Sequence, residues 1–350
     1  MKNSVIQEDL DFILQSVGDW GKFYGRRIVV SGANGFLPAY LVETLLCLNE
    51  QGSGKQVEVV GIVRNLERAR KRFAAYDGRK DLHLVANDIT RSISLDGEID
   101  MILHAASQAS PKYFGTDPVG TLNANVLGTY NLLELAREKR SEEFLFFSTG
   151  EVYGEVDEAR MPIREDGYGY VDPVNVRSCY AESKRMGETM CVAWSHQHGV
   201  PVKIVRPFHT YGPGMRLDDG RVFADFVANV VQGQDIVMKS DGSAIRAFCY
   251  VADATVGFFE VVRKGGNREA YNIGNDKGEA SILELANVLA NLFPDRPLKI
   301  IRKETLSGNQ YLQSKINRAC PDISKVRALG WEPRYSVEEG FRRTVRSFLV

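Results

Sequence analysis

Apolar and polar positions along the chain fall into blocks whose period changes. Val5, Ile6, Leu10, Ile13, Leu14 and Val17 recur at helical spacing and stop at Gly18, which predicts a short amphipathic helix over residues 5–20. It is expected outside the main fold, packing on the body, with partner binding or dimer clasping as the alternative. Short continuous apolar runs follow at 27–31, 56–63, 82–86, 101–106, 144–147 and 202–206, the length and composition of buried strands. Between them, helices are predicted at 39–48, at the basic run 64–72, at 123–139 (apolar stripe Val126, Leu127, Tyr130, Leu133, Leu135) and at 179–198.

This unbroken alternation predicts an α/β fold with a doubly wound parallel sheet. Past residue 206 the pattern loosens. Loops and short helices are expected over 212–250 and a helix within 276–293. A short helix at 324–329 has Asp322 as candidate N-cap and Gly330 as its stop, and a last helix covers 336–348. The expected division is an N-terminal helical extension at 1–24, a dinucleotide-binding part at 25–206 with later strand contributions, and a smaller, mainly substrate-binding lobe at 207–350.

Composition narrows the classes. The chain has 350 residues, 44% hydrophobic and 25% charged, with a formal net charge of −1. That is an ordinary globular balance, with no basic field to attract nucleic acid. No apolar run is long enough for a membrane span, and the first ten residues lack the basic start and apolar core of a signal peptide. The five cysteines are scattered, with no Cys-x-x-Cys and no ligand-like histidine cluster. The expectation is a cytoplasmic protein with reduced thiols, no metal, and neither nucleic acid nor membrane as partner.

The candidate chemistry lies at the strand ends. After the first strand comes Gly32-Ala33-Asn34-Gly35-Phe36-Leu37-Pro38 and then a helix. This is the strand, glycine turn and helix that a dinucleotide pyrophosphate requires. Pro38 stands where a third glycine is usual, and a helix's first turn tolerates proline. A free ribose 2′-hydroxyl is normally met by an acid at the end of the second strand, yet Arg64-Asn65 stand there. Arg64 pairs with a 2′-phosphate, stacks on adenine, or is a solvated helix-start arginine; these readings stay open. Asp88, before Ile89, can accept from an adenine amino group. Ala105 and Ala106 are small enough for a cofactor to lie against, and His104 reads as a packed core histidine. Ser148, Thr149 and Glu151 sit at the carboxyl edge of the sheet, where ligands bind. Tyr180 and Lys184, four apart on a helix, share a face. An ammonium beside a phenol is expected to lower the phenol's pKa and make it a general base.

These motifs, Gly-x-x-Gly, Leu103-His104-Ala105-Ala106, Ser-Thr-x-Glu-Val-Tyr-Gly, Tyr-x-x-x-Lys and Arg-Pro-x-x-x-Tyr-Gly-Pro, resemble in order and spacing those of the extended short-chain dehydrogenase/reductases. These include the nucleotide-sugar epimerases, dehydratases and decarboxylases. The likeness covers residues 26 to about 345. Arg177-Ser178-Cys179-Tyr180, Ala109-Ser110-Pro111 with Tyr113, Asp219-Gly220-Arg221-Val222 and Arg246-Ala247-Phe248-Cys249-Tyr250 are most similar to UDP-glucuronate decarboxylases.

The resemblance implies a Rossmann-type domain and transient oxidation of a sugar C4 by a tightly bound, recycled cofactor. Tyr180, Lys184, Thr149 and Glu151 would be catalytic. Gly32, Asn34, Gly35, Phe36 and Leu37, then Arg64, Asp88 and Ile89, would hold the cofactor with Ala105, Ala106, Ser107, Asn125, Tyr180, Lys184, Pro207 and His209. Ser110, Tyr113, Gly150, His209, Arg221 and Arg246 would meet a UDP- or other NDP-sugar. The family likeness favours NAD, whereas Arg64 leaves NADP open. It also implies a homodimer through the helices at 123–139 and 179–198. Decarboxylation of UDP-glucuronate to UDP-xylose is the favoured reaction. A 4-epimerase or 4,6-dehydratase is the alternative within enzymes, and a non-catalytic cofactor-sensing protein the alternative outside them. Two departures bear on the reaction: Gly150 stands where decarboxylases carry Ser and dehydratases Asp, and His209 stands where Asn is usual.

Overall fold

The structure, a computed structural model, describes residues 3–52, 54–293, 297–302 and 316–349. Six strands stand where the apolar runs predict them, with helices between all but β3 and β4: β1 Arg27–Ser31, β2 Glu58–Val63, β3 Leu82–Ala86, β4 Met101–His104, β5 Glu143–Phe147 and β6 Val202–Pro207. Further strands include β7 Thr210–Tyr211, β8 Ile236–Met238, β9 Ile245–Ala247, β10 Cys249–Tyr250 and β11 Glu269–Ile273. The helices include α1 Ser4–Val17, α2 Phe36–Glu50, α3 Leu66–Arg72, α4 Pro111–Thr116, α5 Pro118–Lys139 and α6 Ser178–His198. They continue with α7 Val222–Gln232, α8 Val251–Lys264, α9 Ile282–Asn291, α10 Ser324–Arg327 and α11 Val337–Leu349.

The main sheet has seven parallel strands in the order β11-β6-β5-β4-β1-β2-β3. Successive strand residues point to opposite faces. Ile28, Val30, Met101, Leu103, Leu145 and Phe147 therefore enter one core with α1, α2 and α8. Val29, Ile102, Phe144, Phe146 and Ile204 enter the other with α5 and α6. Strand order reverses between β1 and β4, so their carboxyl ends open a crevice at the switch point.

Three expectations change. The first helix is built into the body: α1 packs against α8, α2 and α11, with Leu10, Ile13 and Leu14 in the core. Its Asp9 is fully buried and accepts from the hydroxyls of Tyr40 and Tyr250 and from Arg343 on the last helix (2.7 Å). The stretch 212–250, expected as loops and short helices, holds the helix α7 but also the short strands β8 to β10. The seventh strand, β11, escaped the apolar count because its run, Glu-Ala-Tyr-Asn-Ile, carries Asn272, whose buried amide is satisfied by Tyr153, Ile163 and Asp322. Asp322 stands one residue before the actual N-cap, Ile323, but its carboxylate still accepts from Ser324 N at 2.8 Å. The smaller lobe's α7 and α9 share the core of the sheet's α1 and α8 face.

Candidate active site

At the switch point a single cleft of about 1150 Å³ runs from the glycine turn, past the ends of β4 and β5, to α7 and β9. Gly32 has a φ of +66°, and a Cβ there would stand 2.9 Å from Ala106 Cα. Only glycine allows both that backbone and that approach. Gly35 opens α2, with Pro38 in its first turn. At the far rim Asp88 accepts from Thr90 N (3.0 Å) and Thr90 Oγ1 (2.9 Å) through one oxygen. These hydrogen bonds first, and the charges of Arg64 and Arg91 after them, hold its carboxyl below the usual range. Asn34, Phe36, Leu37, Arg64, Ile89, Ala105, Ala106, Ser107 and Pro207 also line the cleft. A glycine cradle, a rim carboxylate and a small-residue wall fit a dinucleotide.

Asn125 does not line the cleft. It is fully buried behind the wall, accepting from Ser107 Oγ (2.7 Å) and donating to Ser183 Oγ (2.9 Å). It ties β4's end and α5 to α6, a positioning role in place of the expected contact. His104 is the packed core histidine expected: Ser31 Oγ lies 2.8 Å from Nδ1 and Thr129 Oγ1 3.0 Å from Nε2.

Tyr180 and Lys184 share the inward face of α6, and both are buried. The Tyr180 phenol lies beside Thr149, which acts to lower its pKa, and its ring stacks on Phe114 at 4.9 Å. Lys184 Nζ donates to the carbonyl of Phe147 at 2.6 Å and lies over the Phe146 ring. The expected lowering of the phenol is not what the protein alone produces. Burial, and then the Glu151 carboxylate, push Tyr180 up to about 12 against the pull of Arg221 and Thr149. Burial also brings Lys184 down to about 7, against the opposing pull of Cys191 and Glu188. An ammonium that surrenders its charge so readily is a weak stabiliser of a neighbouring phenolate.

Glu151 lies at the same edge and forms an ion pair with Arg177 (3.1 Å). Arg177 also stacks over Phe114. Arg177 is a site residue to which the sequence pattern assigns no role. Its signal was position: three residues before Tyr180, it is one turn away on the same face. A second partner that went unread is Phe208, whose ring lies 3.1 Å from where a Cβ on Gly150 would sit. A serine or aspartate at 150 would press on that ring.

The opposite wall carries the arginines. Arg221 pairs with Asp219 (2.9 Å) and donates to the carbonyl of Ala109 (2.8 Å). Arg246 donates to the carbonyls of Ile245, Asn317 and Ile316. Ser110 bonds the carbonyl of Asp219, and Tyr113 follows on α4. His209 stands between the walls. Burial, then Arg246 and Arg221, keep its imidazole neutral, and its buried Nδ1 has no hydrogen-bond partner among the described residues. Among those residues there is no cluster of potential metal ligands.

A doubly wound sheet with a glycine-turn cleft, a buried Tyr/Lys pair and a facing arginine wall defines a Rossmann-type enzyme of the extended short-chain dehydrogenase/reductase kind. The chain belongs to the NAD dependent epimerase/dehydratase family, whose model matches residues 28–274. It is 36% identical over 323 residues to UDP-glucuronic acid decarboxylase 6 of Arabidopsis thaliana, covering 91% of this chain and 88% of that one. It is 35% identical over 328 residues to UDP-glucuronic acid decarboxylase 1 of Danio rerio, covering 92% of this chain and 72% of the relative. Among solved structures it is similar to UDP-glucuronic acid 4-epimerase from Bacillus cereus in complex with UDP-glucuronic acid and NAD. That match has a TM-score of 0.73 and 23% identity, covers 92% and 99% of the two chains, and speaks for the fold alone.

Proposed function

We propose that this chain converts UDP-glucuronate to UDP-xylose by transient oxidation at the sugar C4 followed by loss of carbon dioxide. The observation that carries this reading is that Thr149, Tyr180 and Lys184 line one cleft beside the Glu151–Arg177 ion pair, facing Arg221 and Arg246. The decarboxylase relatives, similar over nine-tenths of the chain, support the choice of reaction.

A bound nicotinamide dinucleotide supplies one reversible hydride transfer. Tyr180, in the phenolate form that Arg221 and Thr149 favour, takes the proton of the C4 hydroxyl, and Thr149 fixes that hydroxyl by hydrogen bonding. Lys184, tied to Phe147, positions the cofactor's ribose and lends charge when protonated. A C4 ketone makes the C5 carboxylate a β-keto acid, whose C–C electron pair flows into the carbonyl as carbon dioxide leaves. Glu151, oriented by Arg177, is the group at this edge that can hold or move the proton required at C5. Arg221 and Arg246 bind the diphosphate through paired, charge-assisted bonds.

The test is incubation with UDP-glucuronate. Carbon dioxide and a UDP-pentose are expected; return of UDP-galacturonate without carbon dioxide would replace this reading with 4-epimerisation. Gly150 has no proton to give at the position where dehydratases carry Asp, which disfavours dehydration.

No helix among the described residues is long and apolar enough to cross a membrane, and the five cysteines are buried and free; we read the protein as cytoplasmic. A homodimer is part of the same proposal. Val119, Leu127 and Tyr130 on α5 and Met186 and Val192 on α6 are exposed apolar residues on two helices that pack together, a surface suited to a second copy.

A further inference from the structure

The adenosine end of the cleft differs in charge from one made for a free 2′-hydroxyl. β2 lies beside β1, with Ser31 opposite Ile62, and both Gly32 N and Ala33 N donate to the Ile62 carbonyl. Arg64, two residues on, therefore emerges beside the glycine turn, where the acid that takes a ribose 2′-hydroxyl normally stands. From β2's end and α3 the cleft is lined by Arg64, Asn65, Arg68, Lys71 and Arg72, with no carboxylate among them. Asn65 cannot replace the acid as an acceptor without giving up its cap, because its side-chain oxygen takes Arg68 N at 2.8 Å. Lys71 is matched by Glu67 and Arg72 by Glu43.

Arg64 and Arg68 form no ion pair among the described residues, and both are exposed. Two exposed guanidinium groups, with Asp88 acting on Arg64 only at longer range than an ion pair, thus bracket the start of α3 on the rim. Asp88, which Arg64 faces, has one oxygen engaged by Thr90. Its other oxygen remains for the adenine amino group. An additional doubly charged, three-oxygen group beside the adenosine ribose would meet both arginines.

We propose that Arg64 and Arg68 form a 2′-phosphate subsite, so that this chain prefers NADP to NAD. The proposal rests on the reading of the cleft as a dinucleotide site. A preference of roughly tenfold or more is expected at low salt, and it should shrink as ionic strength rises.

The test is calorimetric titration of the nucleotide-stripped protein with NADP, NAD, 2′,5′-ADP and 5′-AMP. Expected are tighter binding of NADP than NAD and of 2′,5′-ADP than 5′-AMP. The Arg64→Ala/Arg68→Ala variant should bind each pair about equally, and Arg64→Asp should favour NAD. Both positions are exposed, so the variants should fold, which melting curves check. NAD bound as tightly as NADP by the wild type overturns the proposal, as does a preference that survives in the double variant. A folded wild type that binds neither dinucleotide overturns the cleft reading itself, an outcome distinct from a lost preference.

Discussion

The two walls of the cleft are built in different ways. The sheet-side wall takes Thr149, Tyr180 and Lys184 from β5's end and one face of α6, each buried and fixed by the α/β framework. The lobe-side wall takes Arg221 from before α7 and Arg246 from β9, held by carbonyls and one aspartate. Where a side chain's place is set by the core, its protonation is shifted strongly, as burial does to Tyr180 and Lys184. Where a guanidinium is held at the lobe's edge by carbonyls, as Arg221 and Arg246 are, charge is kept available for an anion. The first wall suits chemistry at a carbinol, and the second suits recognition of a phosphate.

If that contrast holds, Tyr180→Phe should reduce turnover by about 10³-fold, within the usual span of general acid–base catalysis, while retained nucleotide, measured by mass spectrometry after denaturation, stays at wild-type level. Glu151→Gln should cost about 10²-fold in kcat with KM little changed. A variant of either that keeps full activity breaks the assignment of chemistry to the sheet-side wall. Arg221→Ala should act in the opposite manner, raising KM by about tenfold with a smaller fall in kcat, in steady-state assays with UDP-glucuronate. An equal loss in kcat would merge the two walls into one.

The smallest effect concerns stability. Lys184 is held at about 7 in the fold, below its ordinary range, so between there and about pH 10.4 the unfolded chain binds more protons. Stability from this group therefore rises with pH across that window, and the cost of burying the ammonium is complete below about pH 7. Lys184→Met should raise the melting temperature most at pH 6 and least near pH 10, read by calorimetry. A gain independent of pH would show that the amine is not the buried charge described.

How much of this was legible in the sequence follows the same division. The first six strands and the Tyr180, Lys184 and Thr149 cluster could be read because strand, turn and helix are local patterns with short periods. β11 could not, since a polar Asn272 interrupts it and its partners come from Tyr153, Ile163 and Asp322, distant in the chain. The burial of α1 was hidden too: Asp9 looks like one more surface acid until Tyr40, Tyr250 and Arg343 are placed around it. The raised Tyr180 pKa was misread because spacing reports which groups are near, whereas burial depends on everything packed around them.

The Asp9 cluster has a consequence for synthesis. Its carboxylate enters the core on the first helix, yet the guanidinium that balances it lies 334 residues later. While the chain grows, α1 can take up its own turns but cannot be sealed into place as an ion pair until α11 has been made. The last helix is therefore required before this buried pair can form and fix the first.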